Sequence, residues 1–315
     1  MTMLTTRSPS RPSTEMPPAG TPRLRRGGWR TAGWALFFLL PSAIPLVVFT
    51  FVPMIASLWV SLHKWNLISP MKWVGLGNYS KLVKDPQTVK VFLHTVAYIA
   101  GYLPLVYVGG LALAMALNKR MAGRSFFRAA IFLPVVTSWV VVALVWQWLL
   151  NPSNGLVNHL LNFLHLPKPG WWTDPGWAMP SVILASAWKD LGFVMVILLA
   201  GLQSIPTDLY EAATVDGATG WQRFRRITLP LLSPSTFFVV VISLINGFQV
   251  FDQIFVMTGG GPEGASQVVV GQIYNLTFRY GRAGDASALS WLLFVIILLI
   301  TAVQLRSQRR WVSHA

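Results

Sequence analysis

The chain has 315 residues, of which 54% are hydrophobic and only 11% are charged, and its mean hydropathy is +0.54. A soluble domain usually carries about twice that charged fraction, so the composition indicates an integral membrane protein. The net charge of +15 is more typical of the cytoplasmic lysine and arginine of a membrane protein than of nucleic-acid binding. Because the chain contains no cysteine, disulfides and thiolate metal sites are excluded.

The first 30 residues differ from the rest in composition. They are rich in Ser, Thr, Pro and Arg and cannot bury enough apolar surface to fold by themselves. We predict a disordered, basic cytoplasmic tail at residues 1–30, followed by a membrane domain at residues 31–311.

Six apolar stretches are long enough to cross the hydrocarbon as helices, which takes roughly 20 residues. They lie at about 34–57, 92–117, 129–150, 179–202, 235–257 and 286–305. The first contains Pro41, Pro45 and Pro53, so we expect it to be kinked or broken. The sequence therefore predicts an all-α membrane protein with six transmembrane helices and both termini on the same side.

The distribution of lysine and arginine predicts which side this is. The two terminal segments and the second and fourth connections hold twice as many of these residues as the other three connections. We therefore place both termini in the cytoplasm, together with the connection at about 203–233.

This cytoplasmic connection contains two short helix signals separated by a glycine. Pro206 suits the first turn of one helix. Thr219 and Gln222 have the spacing of a capping box that begins a second helix, which Pro230 is expected to end. Gly217 permits a left-handed turn between them at little steric cost. Spacing alone does not distinguish an ordinary hairpin from a knob that inserts into another protein.

The residue types favour the inserted knob. The connection resembles the EAA loop of permease subunits of binding-protein-dependent ABC importers, a Glu-Ala-Ala followed by a glycine and a later Ile-x-Leu-Pro. These parts are present as residues 211–213, Gly217 and residues 227–230, and residues 216–218 match the Asp-Gly-Ala of sugar permeases. The resemblance implies the type I importer permease fold. It also implies that the contact with a separate ATPase is made by Glu211, Ala212, Ala213, Asp216, Gly217 and Ala218.

Two segments on the opposite side also resemble the carbohydrate (maltose/glycerol-phosphate permease-like) family, at residues 75–79 and 258–262. The resemblance implies import of a sugar, with glycerol 3-phosphate or a glycerophosphodiester as the alternative. It also implies a bacterial cytoplasmic (inner) membrane location, a second homologous permease chain, two ATP-binding subunits and an extracytoplasmic solute-binding protein. This chain lacks a G-x-x-x-x-G-K-[ST] phosphate loop, so we expect no cofactor on it and place ATP and Mg²⁺ on the partner ATPase.

Polar side chains within the fifth predicted span are candidates for a substrate path, because polar groups are costly inside a membrane. Asn246, Gln249 and Gln253 recur at helical spacing and would share one face, with Asp252 beside it. Amides exchange hydrogen bonds with sugar hydroxyls. Packing against a neighbouring helix is the alternative explanation for this stripe.

The fourth predicted span carries Trp188, Lys189 and Asp190 about eleven residues from its start. We include Trp188 and Lys189 in the predicted substrate path. Adjacent helical residues point about 100° apart, so Lys189 and Asp190 need not pair with each other. A glycerol phosphate would require a cationic cavity, for which Lys189 is the only intramembrane lysine. A neutral oligosaccharide requires amides and aromatic rings, which the fifth span supplies.

Two other classes of membrane protein remain as alternatives. An ion-driven secondary transporter often shows inverted repeats with interrupted spans, and we find none in the sequence. A membrane enzyme needs a convergent set of catalytic groups, and neither such a set nor metal-ligand spacing of the histidines is found. We therefore predict a transport subunit without an enzymatic activity of its own.

Overall fold

The computed structural model describes residues 29–119 and 121–311, which are mostly helical. The predicted tail lies outside the described residues, except for residues 29 and 30, at which the first helix begins. Two short strands, β1 (His63–Lys64) and β2 (Lys72–Trp73), pair antiparallel in a hairpin. The α-helices are α1 (Trp29–Leu46), α2 (Val52–Ser61), α3 (Gly77–Lys84), α4 (Pro86–Asn118), α5 (Arg124–Val136), α6 (Trp139–Leu149), α7 (Leu156–Phe163), α8 (Pro175–Gln203), α9 (Thr207–Val215), α10 (Gly220–Arg223), α11 (Leu229–Leu231), α12 (Ser233–Phe248), α13 (Asp252–Met257), α14 (Val269–Tyr274) and α15 (Ala283–Trp311).

Among the described residues, those up to Met54 form one compact unit, and those from Ile55 onwards form the other. Of the kink or break expected at the prolines, a break does not occur: Leu36–Ser61 is one helical segment, in which a π-helical turn at Val47–Phe51 joins α1 to α2. The Val52 amide donates to the Val47 carbonyl across this wider turn. A π-turn re-arranges the carbonyls that the Pro53 ring would otherwise meet, so the helix continues.

Four helical segments are long and apolar enough to cross a membrane: Leu36–Ser61, Pro86–Asn118, Pro175–Gln203 and Ala283–Gln308. Two pairs of helices qualify if each bent pair is one span. In the first pair α5 and α6 meet at 102°, and in the second Gly220–Leu231 meets α12 at 64°. The described residues therefore contain four to six candidate spans, and each of the six predicted apolar stretches overlaps one of them.

Helices α4 and α8 pack closely along their length, and glycines make this approach possible. A Cβ atom at Gly109 would lie 2.5 Å from the side chain of Leu191, and one at Gly110 would lie 2.5 Å from Val194. Small residues let helix backbones approach in this way inside membranes. Helix α8 is thereby held among other helices, and Met195 and Leu198 on it are fully buried.

Candidate functional site

The connection after α8 forms the two predicted helices, and a glycine ends the first of them. Helix α9 begins directly after Pro206, which lies just outside the first turn in which it was expected. Gly217 has φ +74°, and its amide donates to the Thr214 carbonyl at 3.1 Å. The Ala218 amide donates to the Ala213 carbonyl at 2.9 Å. This pair of hydrogen bonds is the Schellman motif, which requires a residue that tolerates positive φ.

The second helix begins with the predicted capping box, which is confirmed. The Gln222 amide donates to the Thr219 hydroxyl at 3.3 Å, and the Thr219 amide donates to the Gln222 side-chain oxygen at 2.7 Å. The prediction that Pro230 ends this helix is wrong, because the helix continues to Leu231 and bends at Leu232. A π-turn at Phe224–Thr228 precedes the proline and accommodates its missing N–H.

Side chains fix the two short helices to each other. The hydroxyls of Tyr210 and Thr228 are 2.9 Å apart, and the Arg223 guanidinium donates to the Thr214 hydroxyl at 2.9 Å. Because both hydrogen bonds cross the glycine turn, the loop is already shaped before any partner binds.

The outer face of this loop combines acidic and apolar groups. Glu211, Ala212, Asp216 and Gly217 are exposed, and Val215 retains 88% of its accessible surface. Ala213 and Ala218 are half-buried behind them. Within the part of the chain that the structure describes, neither Glu211 nor Asp216 forms an ion pair. An exposed apolar tip beside unpaired carboxylates is suited to contact with another protein.

A polar cavity of about 330 Å³ lies where five helices meet. Its volume is at the lower end of the range for small-molecule sites. The residues that line it come from α4, α6, α8, α12, α13 and the break between the last two. They are Tyr98, Tyr102, Trp139, Asp190, Asn246, Gln249, Val250, Phe251, Asp252 and Gln253.

The prediction of a single fifth helix over residues 235–257 is wrong. Helix α12 ends at Phe248 and α13 begins at Asp252, so Asn246, Gln249 and Gln253 do not share one helical face. They nevertheless lie together, because all three line the same cavity, as do the non-helical residues between the two helices. Irregular backbone at membrane depth is tolerated where it borders a polar cavity.

Two tyrosines that the sequence analysis missed hold one wall of this cavity. Tyr98 and Tyr102 stack with their ring centres 5.4 Å apart, one helical turn from each other on α4. The Tyr102 hydroxyl donates to a carboxylate oxygen of Asp190 at 2.7 Å, and the Gln253 amide lies 3.3 Å from the Tyr98 hydroxyl. The sequence signal that points to them is the presence of two tyrosines four residues apart within a predicted span.

Two residues predicted for the substrate path do not line the cavity. The Trp188 ring packs edge-on against Trp146. The Lys189 ammonium donates to the Val135 carbonyl at 3.0 Å and lies 4.7 Å from the centre of the Trp139 ring. Neither side chain reaches the cavity, because the helical rotation of about 100° per residue that directs Asp190 to the cavity directs its neighbours elsewhere. Within the described residues, Lys189 and Asp190 form no ion pair with each other.

The groups around the cavity can form hydrogen bonds and stack on rings. The wall presents amides from Asn246 and Gln249, carboxylates from Asp190 and Asp252, and several aromatic side chains. No lysine or arginine is among the residues that line it. The arrangement suits a polyhydroxylated, uncharged molecule better than an anion, since the wall presents two carboxylates and no cationic side chain.

Comparison with known proteins identifies relatives of this chain. Residues 107–312 match the model of the family described as "Binding-protein-dependent transport system inner membrane component". The chain is 36% identical over 285 residues to the trehalose/maltose transport system permease protein MalF of Thermococcus litoralis, covering 89% of this chain and 95% of the relative. It is 32% identical to the multiple sugar-binding transport system permease protein MsmF of Streptococcus mutans, covering 88% and 96% of the two chains.

A solved structure is also similar along nearly the whole chain. It is the crystal structure of a bacterial alginate ABC transporter in complex with an alginate pentasaccharide-bound periplasmic protein. One of its chains superposes with a TM-score of 0.79 at 29% identity, over 90% of this chain and 97% of that chain.

Proposed function

Because the chain belongs to the family of binding-protein-dependent transport system inner membrane components, the permeases of ABC importers, we propose that it carries a neutral oligosaccharide across a bacterial cytoplasmic membrane. The observation that carries the choice of substrate is the cavity at the break between α12 and α13. Its amides, hydroxyls and aromatic rings match the hydroxyls and apolar faces of sugar rings. The names of the sugar-permease relatives support the same substrate class.

The charge of the cavity separates this substrate from the alternatives. A glycerol phosphate, or a chain of uronates, would bring negative charge next to Asp190 and Asp252. The intramembrane lysine that was available for an anion is instead bonded to the Val135 carbonyl. A neutral sugar avoids this repulsion and can donate hydroxyl hydrogens to both carboxylates.

The proposed transporter has six spans with both termini in the cytoplasm, and it needs other chains. A second, homologous permease completes the path, and an extracytoplasmic solute-binding protein delivers the sugar. Two ATP-binding subunits hold ATP and Mg²⁺ and press on the exposed loop. The shape of that loop supports this role, because its carboxylates and apolar tip are left without partners within the described chain.

Coupling then proceeds through named parts of the loop. Glu211 and Asp216 accept hydrogen bonds or ion pairs from the ATPase, and Ala212 and Ala213 allow close approach. Gly217 holds the turn, which keeps Ala218 and the second helix in place behind the first. Closure of the ATPases on ATP moves this loop, and the movement opens the cavity alternately to the two sides of the membrane.

The test is transport by proteoliposomes that contain the chain with its partner permease, ATPase and solute-binding protein. We expect uptake of a labelled neutral oligosaccharide that requires internal ATP and is insensitive to ionophores. Uptake of glycerol 3-phosphate or of a uronate oligosaccharide in its place would overturn the substrate class. Uptake that follows an ion gradient without ATP would overturn the proposal and favour a secondary transporter.

A further inference from the structure

A second, larger concavity lies away from the cavity described above. This groove, of about 750 Å³, is bordered by the β1–β2 hairpin, the N-terminal half of α3 and the residues at the start of α15. Its walls are fixed by hydrogen bonds. The Asn78 side chain donates to the Ser61 carbonyl at 2.8 Å and to the His63 carbonyl at 2.9 Å, and the Gly284 amide donates to the Trp65 carbonyl at 3.3 Å. The groove is therefore a built feature of the fold.

The groove is strongly cationic. Lys64, Lys72, Lys81 and Arg282 line it, and Asp285 is the one carboxylate among its lining residues. A single oxygen of Asp285 accepts from both the Lys81 ammonium at 3.0 Å and the Arg282 Nε at 2.6 Å. One carboxylate cannot neutralise four cations, so an excess of positive charge remains.

The other two cations face each other without a counter-charge. Lys64 and Lys72 are direct cross-strand partners in the antiparallel hairpin. Both are exposed, and neither forms an ion pair within the described residues. Like charges directly opposite each other destabilise a strand pair, and an anion bound between them would remove that repulsion.

The position of the groove along two candidate spans indicates what supplies the anion. Lys64 follows the end of Leu36–Ser61 by three residues, and Arg282 directly precedes Ala283–Gln308. Both cations therefore lie where a span leaves the hydrocarbon, at the level of lipid headgroups. Trp73, with 60% of its surface exposed beside the groove, is the residue type that is enriched at this level.

We propose that this groove binds the phosphate of an anionic phospholipid. The lysine pair on the hairpin and the Arg282 guanidinium contact the phosphate, while the acyl chains lie along the adjoining apolar spans. Basic pockets at the membrane surface bind anionic lipid headgroups by the same electrostatics. The site is separate from the sugar cavity and does not depend on the identity of the transported substrate.

The test uses the purified full-length chain in a neutral detergent, with bound lipid counted by native mass spectrometry. The probes are phosphatidylglycerol, phosphatidylcholine and inorganic phosphate. We expect the double variant Lys64→Gln/Lys72→Gln to bind phosphatidylglycerol about 25-fold more weakly, since each interfacial lysine contributes a factor of about five. Lys84→Gln/Lys90→Gln is the matched control, because both lysines are exposed and lie outside the groove. It should retain the wild-type affinity.

A second variant separates lipid binding from folding. Lys72→Glu places a carboxylate opposite Lys64, so it replaces a repulsive strand pair with an attractive one. The thermal unfolding temperature should rise or stay unchanged, while phosphatidylglycerol binding should fall at least as far as in the double variant. A fall in both quantities would mean that the binding defect is only unfolding, and it would overturn the proposal.

Three other results would also overturn it. Equal losses in the groove variant and the control variant would show a general surface-charge effect. Inorganic phosphate binding that matches phosphatidylglycerol binding and is lost in the same variant would show a site for a free anion. Unchanged lipid binding with loss of solute-binding-protein association would show that the groove is a protein docking face.

Discussion

The ammonium group of Lys189 lies 3.0 Å from the carbonyl oxygen of Val135. Val135 is in the last turn of α5, where the chain bends by 102° into α6, and a cation is favourable at the C-terminal end of a helix. The same ammonium lies over the ring of Trp139, the first residue of α6 and part of the cavity wall. Lys189 therefore fixes the bend that places Trp139.

Removing this ammonium should loosen the bend. We expect Lys189→Met to lower the free energy of unfolding by about 1.5–3 kcal/mol, the usual contribution of a hydrogen bond to a charged group. The KM for sugar uptake should rise as Trp139 shifts. Lys189→Arg keeps a cation and donor and should restore both quantities. Thermal unfolding in detergent and uptake kinetics measure the effect, and a Met variant with wild-type values for both would contradict it.

Backbone geometry at the glycine turn of the exposed loop gives a second prediction. A Cβ at Gly217 meets no atom within 4 Å, so a substitution there acts through the positive φ alone. Gly217→Ala should cost about 1–2 kcal/mol and reduce sugar-stimulated ATP hydrolysis by the assembled transporter. Gly217→Asn, which tolerates a left-handed conformation, should retain more activity.

Gly220 offers the matched control, since it is also free of close neighbours but does not have a positive φ. Gly220→Ala should leave coupled ATP hydrolysis unchanged. If alanine were equally tolerated at both positions, the turn at Gly217 would not be a requirement for coupling.

The charge on the exposed face of the loop can be tested separately from its shape. Glu211 is exposed and, within the described residues, has no ion-pair partner, so Glu211→Lys should not change the unfolding temperature. Reversing a charge that pairs with a partner protein typically costs about 2 kcal/mol or more of association. We expect uptake and coupled ATP hydrolysis to fall strongly in Glu211→Lys and less in Glu211→Gln. Normal coupling in the lysine variant would exclude a direct contact of this carboxylate with the ATPase.

The amides on the cavity wall give the fourth prediction. Asn246 and Gln249 both have exposed side chains on the cavity, so Asn246→Leu with Gln249→Leu should remove hydrogen bonds to the sugar without unfolding the protein. Loss of two hydrogen bonds, at about 1 kcal/mol each, corresponds to roughly a 30-fold reduction of uptake at low substrate concentration. Asn162→Leu makes the same kind of change on α7, away from the cavity, and should have no effect on uptake. Preserved uptake in the double variant would assign these amides to helix packing.

Local sequence signals predict the shape of the loop after α8 well, because that shape depends on interactions between residues that are close in sequence. The Thr219–Gln222 capping box and the glycine turn at Gly217 each involve residues within a few positions of one another. The long apolar stretches were recognised for a similar reason, since their length and composition suffice. Packing around Gly109 and Gly110 is a long-range property, and no local pattern predicts which residues of α8 these glycines meet.

The cavity was predicted only in part, because its members come from distant segments. Helical spacing predicts that Asn246, Gln249 and Gln253 share one face, yet they meet through a break in the helix. The depth of Lys189 in its span predicts a place on the path, although its rotation on α8 directs it to Val135. Tyr98 and Tyr102 become visible as site residues only when α4 is packed beside α8, where Asp190 accepts from Tyr102.

Helix α8 connects the cavity directly to the exposed loop. It runs without interruption for 29 residues, carries Asp190 at the cavity and ends at Gln203, four residues before α9 begins. Thirteen residues of helix separate Asp190 from Gln203, a distance of about 20 Å. An unbroken helix is stiff along its axis, so a displacement of the loop that follows α8 would also move Asp190. Under the proposed function, contact of the loop with the ATPase and opening of the cavity would therefore be linked through one continuous stretch of backbone.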